Sequence, residues 1–495
     1  MKKQDSTNTS QAMWIAIGSL CSFLFAIVSS AILSRYLAKD AYGTYKQVMY
    51  VYTTLLSVFT LGLPLAYSYF LPRVSIAEGK SLVDKINAVF FVLGVVFAIV
   101  LYFGADIVAN ILNNPELGPN LRIFSPAPVF LLPTMGLQGI LATYKRTMLN
   151  ALYVLITRVF MLICVALPVA FYKSSVEVAI WGFLVSSFIS MVVALIIKNV
   201  PFHNVVKERT NVSYKQIFNY SIPLMAAGLL GVAIHAADQF YVSRFFGQEV
   251  FADFANGSLE LPFVSMVLSA SGTVLLPVFS RMLEDKTPIS TILDLWKRSA
   301  VKATYILYPL VTFSIFFATE IMTFIYGSRY EMSGVYFRIQ LIVNFFTVIQ
   351  YYPIILALGK TKEYAWVHFV NFVIVWATEY LAILVFDSAV AVTVVSVVCK
   401  VLKILLVINV VASAIDVKIW SLFPLRELLT TFICCFVAGI GSYYFVSLLP
   451  IAELKLLVLV VGLILFVGLV LLLGRLMKID FFSVIRPITN KLLHR

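Results

Sequence analysis

Ser34-Arg35-Tyr36-Leu37-Ala38-Lys39-Asp40-Ala41-Tyr42-Gly43-Thr44-Tyr45 follows the first long apolar run of the chain. A degraded copy stands at Ser243-Arg244-Phe245-Phe246-Gly247-Gln248-Glu249-Val250-Phe251-Ala252-Asp253-Phe254. In both, Ser-Arg closes an apolar helix and two apolar residues follow; an acid takes the seventh place and aromatics the ninth and twelfth. Two further echoes lie downstream. Asn120-Leu121-Arg122-Ile123 is answered by Tyr336-Phe337-Arg338-Ile339, and Leu141-Ala142-Thr143-Tyr144-Lys145-Arg146-Thr147 by Leu356-Ala357-Leu358-Gly359-Lys360-Thr361-Lys362. The three pairs keep one order at offsets of about 209 to 216 residues, which predicts a duplicated unit.

The unit is a membrane one. Of 495 residues, 61% are hydrophobic and 12% charged, with a mean hydropathy of +0.96, against about 25% charged in an ordinary soluble domain. Apolar runs of about 20 residues recur, each long enough to cross a hydrocarbon core as a helix and too uniformly apolar for barrel strands. The expected fold is an all-α polytopic membrane protein with about 14 transmembrane helices, at 12–33, 47–71, 87–108, 123–143, 149–172, 178–198, 217–242, 252–279, 300–318, 335–357, 364–386, 388–412, 427–448 and 454–473. The start, Met1 to Gln11, is polar, and the run Ala12 to Leu33 is too long for a signal-peptide core, so it reads as a retained first span. Six helices per repeat is an even number, so both copies enter from the same side and are related by an axis along the membrane normal. The expected division is an N-terminal lobe at 1–206, a C-terminal lobe at 207–412, and helices 13 and 14 with a basic tail at 413–495; the link 199–216 is the joint.

A net charge of +13 comes from Lys and Arg scattered over short loops, with no basic domain to hold nucleic acid. With the N-terminus inside, inner segments carry about 25 basic residues against about 8 outside, which predicts cytoplasmic termini. Five cysteines lie inside apolar runs without metal spacing and read as packing residues, and the four histidines lack ligand spacing, so neither a metal nor another cofactor is expected. No loop exceeds about 20 residues, which leaves no room for a soluble catalytic or nucleotide-binding domain.

Ionisable groups inside a membrane cost a few kcal/mol each and usually face a partner or an aqueous cavity. Helix 12 carries Thr393, Ser396, Lys400 and Lys403 on one face; helix 11 carries His368, Asn371, Thr378 and Glu379, and helix 10 Gln340, Asn344, Thr347 and Tyr351. Helix 7 closes with His235, Asp238 and Gln239, helix 8 holds Asn256 and Glu260, and helix 5 holds Arg158. A stripe of Asn, Gln and Thr is more often interhelical hydrogen-bond glue than a substrate site. Arg35 and Arg244 at helix ends can snorkel to the interface, and Arg158 can pair with Glu260 or Glu379. Gly182, Gly228, Gly231 and Pro223 are expected to allow close packing and bending.

The pattern Arg35-x-Leu37-x-x-x-x-Tyr42-Gly43-x-Tyr45, its copy after helix 7, Ile325-Tyr326-Gly327 and Leu358-Gly359-Lys360-Thr361-Lys362 resembles the polysaccharide repeat-unit flippases. These belong to the multidrug/oligosaccharidyl-lipid/polysaccharide exporter superfamily. The copy departs from the pattern where Ala252 replaces glycine. The resemblance implies two six-helix lobes around a central cavity, alternating access, a bacterial inner membrane and a polyprenyl-pyrophosphate-linked oligosaccharide as cargo. A cationic cavity would be built from Lys400, Lys403, Arg158, Arg338, Arg35 and Arg244.

A drug or organic-cation exporter of the same superfamily is the nearest rival, kept open by the acids Asp238, Glu260 and Glu379. A lipid-linked peptidoglycan precursor flippase is another. A membrane glycan polymerase or ligase would want a large external loop, which the chain lacks, and no Gly-x-x-x-x-Gly-Lys-[Ser/Thr] motif is present for an ATPase. An enzyme is therefore not expected. Uphill flipping would draw on an H+ or Na+ gradient, with Asp238, Glu260 and Glu379 as coupling candidates. Glycan polymerases or glycosyltransferases are possible partners.

Overall fold

The computed structural model describes residues 8–450 and 453–484; the N-terminal Lys2 and Lys3 and the end of the basic tail, with His494, lie outside them. Every element among the described residues is helical. An apolar chain in hydrocarbon must satisfy its backbone groups within each segment, and a helix does so. In chain order the elements are α1 (Asn8–Tyr36), α2 (Lys39–Phe59, continued by Leu63–Arg73), α3 (Ile76–Ile111), α4 (Leu117–Thr143, interrupted), α5 (Thr147–Phe171), α6 (Val176–Asn199) and α7 (Tyr214–Gly257). There follow α8 (Pro262–Glu284), α9 (Ile289–Phe316), α10 (Ser328–Thr347, continued by Tyr351–Ala357), α11 (Thr361–Phe386), α12 (Ala389–Ala414), α13 (Leu425–Ser447) and α14 (Lys455–Leu476). Among the described residues twelve are long and apolar enough to cross a membrane, and counting each of the bent ones, α2 and α10, as one span brings the number to fourteen.

The bends have local causes. α2 turns by 44° where Leu61 and Gly62 take φ of 47° and 68°, just ahead of Pro64. At Gly62 a Cβ would stand 2.4 Å from the Ser221 carbonyl oxygen, so only glycine fits. α4 is interrupted by Pro126, by the tight turn Leu132–Thr134 and by Gly136 at φ 74°. In α5 the segment Leu162–Ala166 widens into a π turn, and Gly182 of α6 packs on it so closely that a Cβ would lie 1.8 Å from the Cys164 oxygen. Close packing is thus what Gly182 provides. Gly228 and Gly231 of α7 do the opposite of what was expected: nothing lies within 4 Å of where their Cβ atoms would be.

The second copy of the opening motif does not start a new helix at 252. α7 runs 44 residues and is kinked at Gly247, whose φ of 77° and ψ of 178° belong to a region open only to glycine. Residues 256 and 260 consequently do not share one span: Asn256 lies in the last turn of α7, and Glu260 in the break before Pro262. Nor is there a tight turn at Gly43. The chain is helical through it, and glycine is needed because a Cβ would fall 2.0 Å from the Gln248 oxygen.

The chain divides into two compact units, residues 1–252 and 253–495. The division falls inside α7 because the part before the kink is fastened to α2. Gln47 Nε2 donates to Ser243 Oγ at 2.7 Å and Tyr50 Oη to the Ala236 oxygen at 3.1 Å. Asn114 extends this buried network by donating to Gln47 Oε1 at 2.6 Å and Thr44 Oγ1 at 3.0 Å.

Both units carry the duplicated details. At the end of α4, Lys145 and Arg146 donate backbone hydrogen bonds to Ala142 and Leu141; at the end of α10, Gly359 and Lys360 donate to Leu356 and Ile355. This is a Schellman closure in each case, with the left-handed residue at Lys145 (φ 55°) and Gly359 (φ 69°). The geometric register is thus one residue shorter than the sequence match suggested. Gly118 and Gly334 form a further pair, each four residues before an arginine and each pressed on the helix before it, at Asp106 and Ala109 of α3 or at Thr319 of the short helix Ala318–Tyr326.

Candidate functional site

The helices α10, α11 and α12 assemble the polar faces of the second unit. On α12 Thr393 and Ser396 are fully buried and Lys400 and Lys403 half-buried, so the shared face runs from a dry end to a wetter one. Lys400 Nζ donates to Gln340 Oε1 of α10 at 3.2 Å. Lys403 makes no hydrogen bond or ion pair among the described residues. Thr378 of α11 and Cys399 of α12 share a hydrogen bond of 3.4 Å, which fixes the level of the two helices. His368 Nδ1 lies 3.0 Å from the Tyr364 oxygen; a carbonyl only accepts, so Nδ1 carries the proton. Glu379 is 0% exposed. Asn371 is 1% exposed, and neither amide atom has a hydrogen-bond partner.

The arginines are spent differently. Arg244 Nη1 reaches the Asn110 and Ile111 carbonyls, capping the C-terminus of α3, and Arg338 Nε donates to the Ile315 oxygen at the end of α9, at 3.1 Å. Cations at helix C-termini complement the unsatisfied carbonyls and the dipole. Arg122, the first-unit counterpart of Arg338, pairs instead with Asp106. Arg35 is exposed at the end of α1. Arg158 is half-buried on α5, with one contact from Nη1 to Met161 Sδ at 3.6 Å.

Of the acids, Asp238 is buried on α7 and its Oδ1 accepts from the Gln239 amide at 2.9 Å. Glu260 is exposed in the break after α7, so the expectation that it sits inside a span is corrected; Pro262 starts the next helix too late to include it. Among the described residues no three His, Cys, Asp or Glu side chains gather to hold a metal.

Lys198 went unnoticed in the sequence, where it reads as the basic end of an apolar helix. It is 1% exposed. Its Nζ donates to Asn87 Oδ1, the Pro133 oxygen and the Met135 oxygen, each at 2.8 Å. Three acceptors require three N–H groups, so the side chain is the ammonium form. It holds the carbonyls that the interruption of α4 releases, with the Tyr67 ring 5.2 Å away. The signal available in the sequence was Pro133 with Gly136, which marks a helix break whose carbonyls need donors.

Gly228, Gly231, His235 and Gln239 of α7 face Thr53 and Thr54 of α2 across an open groove of about 420 Å³. The two glycines, with no side chain, make room there.

Residues 32–334 match the family model described as "Polysaccharide biosynthesis protein". Among solved structures, the lipid II flippase MurJ in an inward closed conformation is 14% identical, covering 94% of this chain and 99% of its own, at a TM-score of 0.69. An inward-facing multidrug resistance transporter of the MATE family, in the MOP superfamily, is 13% identical over 81% of this chain and 98% of its own, at 0.64. A MOP-superfamily transporter from Pyrococcus furiosus is 12% identical over 81% of this chain and 95% of its own, at 0.55. No curated protein matches by sequence.

Proposed function

The chain belongs to the polysaccharide biosynthesis protein family and has a fold shared with MurJ and the MATE transporters, and from that premise we propose that it flips a polyprenyl-pyrophosphate-linked oligosaccharide across a bacterial inner membrane by alternating access. The observation that carries this reading is the pair Lys400 and Lys403. They sit one turn apart on α12, half-buried, above two buried hydroxyls, with Lys403 uncommitted. Turned to lipid, two such cations would cost about 5 to 7 kcal/mol on insertion scales. Facing water they stay hydrated until an anion arrives, and a diphosphate offers several oxygens for charge-assisted bonds. Of the other candidate cations, Arg244 and Arg338 act as helix caps and Arg35 lies at an exposed end, while Arg158 of the first unit has no such cap.

Coverage favours a flippase over a drug exporter. The MurJ match spans 94% of the chain and the MATE match 81%, a difference of about 64 residues, roughly the length of two spans. The coupling gradient, H+ or Na+, would act through Asp238 or Glu379, the buried members of the three candidate acids; Glu260, exposed in its loop, ranks behind them. Both termini lie in the cytoplasm in this reading, and glycosyltransferases or a glycan polymerase work beside it.

The test is glycan export in cells that depend on this protein. With Lys400→Gln and Lys403→Gln together, the protein inserts and folds but export falls at least tenfold, while the double arginine variant keeps part of it. Full export by the glutamine variant would overturn the assignment.

A further inference from the structure

Outside the candidate site, a polar pocket of about 610 Å³ is lined by Ser81 and Lys85 of α3 and by Arg209 to Tyr214, where the link joins α7. The link is strapped to the first turns of α3. Lys80 Nζ donates to the Val205 oxygen at 3.1 Å, Lys207 pairs with Asp84 at 2.5 Å, and the Glu208 amide donates to the Ala77 oxygen at 3.3 Å. Thr210 closes a turn by accepting from the Val212 amide, and Ser213 and Gln216 cap α7 reciprocally, so the pocket wall is a fixed loop.

These contacts use up some cations and leave others. Lys85 Nζ gives one proton to the Val212 oxygen at 2.7 Å and lies 5.0 Å from the Tyr214 ring, which leaves two protons unspent. Arg209 is exposed and makes no hydrogen bond or ion pair among the described residues. No acid lines the pocket. Of the neighbouring carboxylates, Asp84 is held by Lys207 and Glu78 by the Ser75 cap, which leaves Glu208 exposed on the link.

The pocket's height is also set. α3 has 36 residues, about 54 Å at 1.5 Å each, and only the apolar part beginning near residue 87 is needed for a hydrocarbon core of about 30 Å. Ser81 and Lys85 lie within two turns of that boundary, at headgroup level. Val206 on the same link is 83% exposed, an apolar side chain suited to the same interface.

We propose that this pocket binds a phosphoryl group, with Lys85 and Arg209 as its cations and the Ser81 hydroxyl as a further donor. The same chemistry is offered by an anionic phospholipid headgroup and by free phosphate. The site is separate from Lys400 and Lys403, and its test does not rest on transport. Full-length protein is purified and examined by native mass spectrometry after incubation with phosphatidylglycerol or phosphatidylethanolamine, and by 31P line broadening with inorganic phosphate. The variant Lys85→Gln with Arg209→Gln is compared with the parent; Arg209→Gln alone, at an exposed position, guards against misfolding. A fivefold or greater loss of bound phosphatidylglycerol in the variants, with phosphatidylethanolamine unchanged, identifies the headgroup as the source. Loss of phosphate broadening without lipid selectivity identifies free phosphate. Equal retention of both probes by parent and variants overturns the site.

Discussion

Replacing Lys198 by methionine removes the ammonium while keeping most of the apolar stem. Three acceptors lose their donor: Asn87 Oδ1, the Pro133 oxygen and the Met135 oxygen. Asn87 Oδ1 keeps the Tyr67 hydroxyl at 3.0 Å, but the two carbonyls keep nothing from this side chain. An acceptor left buried and unsatisfied costs about 1 to 3 kcal/mol, and hydrogen bonds from a charged donor contribute about 1.5 to 3. Relief from burying the charge offsets part of this. The expected net loss is about 3 kcal/mol, concentrated at the interruption of α4. Thermal unfolding in lipid nanodiscs should fall by several degrees, and hydrogen exchange should quicken at residues 133–140 before elsewhere. Tyr67→Phe should cost only about 1 kcal/mol, the value of one neutral hydrogen bond. A Lys198→Met protein that melts with the parent and keeps its protection at 133–140 would refute the reasoning, since the ammonium would then not be what holds the break.

Gly247→Ala should destabilise by about 1 to 3 kcal/mol through backbone strain alone, because nothing stands within 4 Å of the new methyl; equal melting of the variant would show that the kink has relaxed. Gly43→Ala meets the Gln248 oxygen at 2.0 Å, so crosslinking between cysteines placed at 47 and 243 should drop as α2 and α7 part, and unchanged crosslinking would contradict the close approach. Asn371→Leu removes two buried unsatisfied amide atoms, so it should melt about 1 to 2 kcal/mol higher while export falls; a variant that gains stability and exports normally would confine Asn371 to packing.

The apolar runs determined the helices. Each is long enough to span, and in a hydrocarbon solvent the backbone has one local way to satisfy itself, so the number and order of spans followed from composition. The duplication was legible because repeated turn chemistry, as at Lys145 and Gly359, leaves repeated residues. Lys400 and Lys403 could be singled out because a charge inside an apolar run is anomalous wherever it points. What the tertiary structure decided was which polar groups were already committed. Arg244 and Arg338 are candidate cavity cations in the sequence, yet they end on the carbonyls of α3 and α9, 133 and 23 residues away in the chain. Lys198 looks like an ordinary helix end, yet it is enclosed by residues 63 to 111 positions distant. Gly43 and Gly228 are the same residue, one filling a backbone contact and the other opening a groove. Hydrogen-bond satisfaction and excluded volume depend on neighbours that only folding supplies, whereas helix formation in an apolar medium depends on the segment itself.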